Sequence, residues 1–224
     1  MVLTVTNISN NNIIYPLVII PLSDMVLCYV FSKKARWFQL HAISNLIIVN
    51  IIKKDVYNLI VYPFQTINIL DNYLELNFII VLHLYHFLFF KNTFMDYLHH
   101  TVFVLFGCMP IYYFYNYNIV RLATFTGCGL PGFIEYSLLT LVKNDKIKSL
   151  TQKKIMSKVY NYFRYPFGIF ALSYIYIYSI LTQQNLLITL YTMLIIYLNG
   201  SFYNKLTIEN TIWHELSIKS NKLS

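Results

Sequence analysis

Apolar runs about as long as a bilayer is thick recur along this chain, and nearly all of its charged residues fall between them. A hydrocarbon core of about 30 Å is crossed by roughly 20 apolar residues in a helix. Inside it every backbone N–H and C=O must be satisfied without water, which restricts spanning segments to helices or closed barrels. Runs of this length select helices. Of the 224 residues, 57% are hydrophobic and only 12% charged, against roughly 25% charged in an average soluble domain. With a mean hydropathy of +0.53, the chain lacks the polar surface that a soluble domain of its length needs.

The runs lie near residues 13–32, 37–52, 74–90, 97–117, 119–142, 160–182 and 185–203. The expectation is an all-α, multi-pass transmembrane bundle of about seven helices. Six crossings stay open, because the second run is short and can extend through Lys53–Asp55 into residues 56–62. The fifth run is interrupted by Gly127, Gly129, Pro131 and Gly132. The first run has no basic stretch before it and reads as an anchor rather than a cleaved signal. No repeat or separate hydrophilic domain is visible. The chain divides into an N-terminal segment with the first helix (1–29), a main transmembrane domain (30–205) and a tail (206–224).

Alternate loops sort the basic residues into two groups. Lys33, Lys34, Arg36, Lys91, the six lysines from Lys143 to Lys158, and Lys205, Lys219 and Lys222 make thirteen on one side; Lys53, Lys54 and Arg121 make three on the other. Under the positive-inside rule this split places the C-terminus in the cytosol and the N-terminus in the lumen or exterior. Asn7-Ile8-Ser9 would then be exposed to glycan transfer there. The formal charge of +8 reports topology, and nucleic-acid binding is not expected. Cys28, Cys108 and Cys128 sit in apolar surroundings without ligand spacing, as core cysteines do.

Polar residues inside the runs mark the functional interior, because ionisable groups at bilayer depth are costly. Trp37, His41 and Asn45 recur at i, i+4 and i+8 on one face, which either lines a cavity or bonds helix to helix. Glu75, His83 and His86 project within an arc of about 80°. Packed, hydrogen-bonded imidazoles explain that pair of histidines better than a metal site, since membrane di-iron enzymes use more histidines than the six present. Asp96 lies i−3 and i−4 from His99 and His100 and can reach either ring, fixing its tautomer as a general base requires. The same aspartate also fits a capping box begun by Thr93, although a cap leaves two histidines one turn into an apolar run unexplained. Gly127 to Gly132 cannot continue as a regular lipid-facing helix. Glu135 and Tyr136 follow it. Arg164 either pairs with Glu135 or reaches toward an interface.

Four segments, Arg36 to Asn45 (RWFQLHAISN), Asp96 to His100 (DYLHH), Gly129 to Tyr136 (GLPGFIEY) and Asn161 to Pro166 (NYFRYP), resemble in order and spacing the TLC-domain family of multi-pass membrane proteins. The likeness covers residues 30–205 and implies a bundle of six to eight helices, usually in the endoplasmic reticulum, around a lipid-accessible cavity. In the ceramide-synthase branch a histidine pair matching His99 and His100 belongs to the active site that transfers an acyl group from acyl-CoA to a sphingoid amine. Two aspartates of that branch correspond here to Gly127 and Leu130. This departure makes the chain more similar to small TLC-domain proteins associated with membrane lipid composition.

The resulting expectation is a protein of lipid metabolism or membrane lipid composition. Its catalytic candidates are His99, His100 and Asp96, and Trp37, His41, Asn45, Glu75, His83, His86, Glu135, Tyr136 and Arg164 would line the substrate site. An acyl transfer would use acyl-CoA as co-substrate, with a histidine acting as base or being acylated first; no metal or tightly bound cofactor is expected. Its partners are membrane lipids. A non-enzymatic lipid binder or sensor is the alternative, with His99 and His100 holding a headgroup. A seven-helix receptor or channel fits less well, given the short loops and the lack of a pore ring.

Overall fold

In a computed structural model, which describes residues 13–67, 70, 72–114 and 117–220, all regular structure is helical. Seven continuous helices follow one another: α1 (Ile14–Val30), α2 (Arg36–Val61), α3 (Leu74–Phe89), α4 (94–114), α5 (Ile119–Lys143), α6 (149–181) and α7 (Leu186–Ser220). Each covers one expected run, although α6 begins eleven residues ahead of its run, at Ser149, and takes Lys153, Lys154 and Lys158 into the helix. Lys53–Asp55 does not end α2, because one helical turn carries these charges past the apolar face while Ile52, Val56 and Leu59 stay buried. The helix of the last run continues through the expected tail to Ser220. Asn7 to Ser9 lies outside the described residues.

Local chemistry sets the ends. Thr93 opens α4 with a reciprocal capping box, its Oγ1 accepting from the Asp96 amide while the Asp96 carboxylate accepts from the Thr93 amide. Helices α5 and α6 close through residues in the left-handed region, Asp145 (φ 58°) and Gln183 (φ 54°). The following amides, Lys146 and Gln184, bond back to Leu141 and Ser179 as in a Schellman motif.

The bundle has an apolar core around Ile48, Phe78, Leu82 and Leu122, with polar side chains buried among it and large apolar ones on its outer faces. On α7, Leu187, Leu190, Leu194 and Leu198 form one exposed stripe, whereas Thr189 and Thr192 are buried. On α1, Val18, Leu22 and Val26 face outward and Asp24 faces inward; on α2, Gln39, His41, Ser44 and Asn45 are all buried. Two helices, Ile119–Lys143 and Leu186–Ser217, are long and apolar enough to cross a membrane. Only 17% and 11% of their apolar windows are buried, unlike the core helix of a soluble domain. Ile14–Val30 and Leu74–Phe89 are apolar but shorter, at 17 and 16 residues.

Two ionic clusters tie the ends of the bundle. At one end, buried Asp24 of α1 accepts from Arg36 Nε of α2 (2.8 Å) and from the Tyr85 hydroxyl of α3 (2.8 Å), and Arg36 lies over the Phe90 ring. Lys34 meets Asp145 in the same region (2.6 Å) and holds its exposed carboxyl below the usual range. The turns after α1, α3 and α5 therefore gather at one end. At the other end Arg121 of α5 donates to Glu75 (2.9 Å), to the Asn72 carbonyl (3.0 Å) and to Asp55. Removing one partner from such a cluster strands buried charge and costs about 3–5 kcal/mol. Arg121→Met is expected to destabilise the detergent-purified chain by about that much in thermal unfolding. Glu75→Gln combined with Arg121→Met should recover part of the loss.

Candidate functional site

Five of the six histidines converge near the end of the bundle that carries the Asp24 cluster. His41 stands one turn into α2, His83 and His86 one turn apart late in α3, and His99 and His100 early in α4. The His83 ring is 5.2 Å from the His99 and His100 rings, and His86 is 4.9 Å from His100, centroid to centroid. The capping box starts α4 so that both histidines turn toward α3. Trp37 packs against His41 and His86 and forms a wall behind them.

Three hydrogen bonds thread this cluster. Tyr203 Oη lies 2.7 Å from His99 Nδ1, His99 Nε2 lies 3.2 Å from His83 Nε2, and His83 Nδ1 lies 2.7 Å from the Ile79 carbonyl. A carbonyl can only accept, so His83 carries its proton on Nδ1 and offers the lone pair of Nε2. With both rings neutral, His99 must then be protonated on Nε2, and the Tyr203 hydroxyl donates to its Nδ1. The chain has a single direction, Tyr203 to His99 to His83 to backbone, and every ring nitrogen in it is engaged.

Tyr203 and His99 face a cavity of about 160 Å³. Its polar end holds His41, His83, His99, Glu135, Tyr136 and Arg164. Leu76, Ile111, Val120 and Ala123 line it toward the opposite end of the bundle. Along α4 the lining runs from His99 to Ile111. Three helices widen into π turns where they border this space, at 100–108, 125–129 and 160–164. Amides bond five residues back there, as Leu130 does to Phe125 and Tyr165 to Tyr160. Such turns are frequent at functional sites because they displace the helical face. The Gly127–Gly132 interruption takes this form and borders the cavity. Gly132 also lets α2 approach, because a Cβ there would lie 2.6 Å from the Asn45 amide nitrogen.

The expected site residues separate into three groups. His41, Asn45, His83, His99, Glu135, Tyr136 and Arg164 line the cavity; Trp37, His86 and His100 stand behind it. Glu75 and Asp96 do neither. The arc shared by Glu75 with His83 and His86 is undone by distance along the helix, two turns being enough to carry Glu75 to Arg121. The Asp96 carboxylate accepts from the Thr93 amide and hydroxyl (both 2.7 Å), and the hydrogen-bonding partner of His99 is Tyr203 from α7. Glu135 accepts from the Tyr160 hydroxyl (2.6 Å) and forms no ion pair with Arg164. Tyr160, Tyr203 and Asn199 were not legible beforehand, since among 21 tyrosines nothing in the local pattern singles out two. Among the described residues no group of three or more His, Cys, Asp or Glu is arranged to hold a metal ion.

No family model, curated protein or solved structure matches the chain. The hydrogen-bond chain fixes an observable. Nitrogen-15 NMR of histidine-labelled protein should report His83 as the Nδ1–H tautomer and His99 as the Nε2–H tautomer. Tyr203→Phe should shift the Nδ1 resonance of His99 and leave that of His83 in place.

Proposed function

We propose that the chain is a multi-pass membrane protein of lipid metabolism, and that its cavity binds an amphiphile and transfers an acyl group with His99 as base. The observation that carries this reading is the Tyr203–His99–His83 chain opening onto a cavity that is polar at one end and apolar at the other. The apolar outer faces of α1 and α7 support membrane insertion. So do the two long apolar helices. Loops rich in lysine gather at one end, which supports a cytosolic C-terminus and a lumenal N-terminus. The endoplasmic reticulum is the membrane that the TLC-domain resemblance suggests.

The geometry supports a defined proton path. A substrate hydroxyl or amine in the cavity gives its proton to Tyr203 Oη as the Tyr203 proton passes to His99 Nδ1. The freed lone pair attacks the carbonyl carbon of a thioester such as acyl-CoA, the C–S bond breaks, and the departing thiolate takes the proton back by the same route. His99 as imidazolium keeps both contacts, donating to the Tyr203 oxygen and to His83 Nε2. Engagement of both its nitrogens favours the base role over direct acylation of the ring. Asp96 acts as a helix cap in this scheme, and His100 supports His83 and His86 from behind.

Positioned general bases contribute typically about 10²- to 10⁴-fold to rate. In cells expressing the chain, His99→Ala and Tyr203→Phe are expected to abolish or reduce a lipidomic change by that order, with membrane insertion retained. Asp96→Asn should keep it, since the amide oxygen still caps α4. A non-enzymatic lipid holder would instead show no acyl-transfer product in wild type, and His99→Gln would retain its phenotype. That outcome would refute the transferase.

A further inference from the structure

The chain has three arginines, and two of them are neutralised. Arg36 is paired with Asp24, and Arg121 with Glu75 and Asp55. Arg164 is different. It is 94% buried, being 6% exposed, and its Nε is sealed from solvent without a hydrogen-bond partner. It forms no ion pair among the described residues. Its guanidinium lies over the Tyr160 ring and near the Tyr203 ring, 4.6 and 5.3 Å from their centroids. Cation–π contacts orient such a group but do not replace the hydration that burial removes. The same side chain borders both the main cavity and a smaller one between α6 and α7.

We infer that Arg164 is the anion-binding group of the cavity and takes the phosphate or carboxylate oxygens of an amphiphile whose chain occupies the apolar end. This rests on the lipid cavity proposed above and names the headgroup chemistry. A guanidinium is planar and carries its N–H donors in a fork that carboxylates and phosphates accept in pairs of hydrogen bonds. The π turn at 160–164 places Tyr160 and Arg164 together on the cavity wall. Tyr203 makes both the arginine contact and the hydrogen bond to His99, so an anion at Arg164 lies beside the reactive imidazole. Glu135 is the other charged group in the lining. It accepts from Tyr160 and opposes anions, which gives the two charged residues opposite effects on binding.

The test uses the full chain purified in neutral detergent, with oleate, 1-oleoyl lysophosphatidate, oleyl alcohol and inorganic phosphate as probes, and reads affinity from ligand-dependent thermal unfolding. Oleate and lysophosphatidate should bind at least tenfold more tightly than oleyl alcohol, and inorganic phosphate alone should not bind detectably. Arg164→Gln should remove the preference and retain oleyl alcohol binding, whereas Glu135→Gln should strengthen binding of both anions. Equal affinity of wild type for oleate and oleyl alcohol would overturn the assignment and leave the lipid cavity standing. Binding of inorganic phosphate as tight as that of lysophosphatidate would overturn the amphiphile in favour of a free anion. Failure of every long-chain probe to bind would overturn both proposals. Should Arg164→Gln not fold, the wild-type series and Glu135→Gln still decide.

Discussion

Buried polar side chains must find partners inside this bundle, because the outer faces of its helices are apolar and offer none. An unpaired polar group away from water costs several times what a satisfied one returns, so many inward residues are paired, and those left over, Nδ1 of His41, His86 and His100 and Nε of Arg164 among them, are buried without a hydrogen-bond partner. Asp24, Arg36 and Tyr85 close one end across three helices; Arg121, Glu75 and Asp55 close the other. Between them His99 and His83 are satisfied in a chain that runs from Tyr203 to the Ile79 carbonyl. The cavity lies where this pairing stops.

The same constraint explains the shape of that space. Regular helices would pack their side chains together, and three π turns shift the inward faces of α4, α5 and α6 instead. Glycine at 132 draws α2 against α5 and brings Asn45 to the wall. Polar and apolar linings then separate along the bundle axis, since His41, His83 and His99 all sit near one set of helix ends and Leu76, Ile111 and Val120 near the other. Under the proposed function, this gradient orients a lipid with its headgroup beside the imidazoles.

Much of the architecture was legible in the chain itself. Seven apolar runs became seven helices, since segment length and the placement of charge are local properties. Thr93-Phe94-Met95-Asp96 announced its cap for the same reason. The site was legible only in part. His41, Asn45, His83, His99, Glu135 and Tyr136 were found because a polar residue in an apolar run stands out. Asp96 as imidazole partner and Glu75 as cavity residue were not found at their expected places. Proximity along one helix does not say which neighbouring helix supplies the better partner.

Sequence alone determined that this protein is helical and roughly which stretches form its seven helices, because both follow from the length of the apolar runs and from backbone hydrogen bonding within each of them. Only the tertiary structure decided which inward groups meet. Tyr203 reaches His99 across 104 positions, Arg121 reaches Glu75 across 46, and Arg164 reaches no carboxylate among the described residues. Such pairings depend on how helices are rotated and staggered against one another, a degree of freedom that no local pattern encodes.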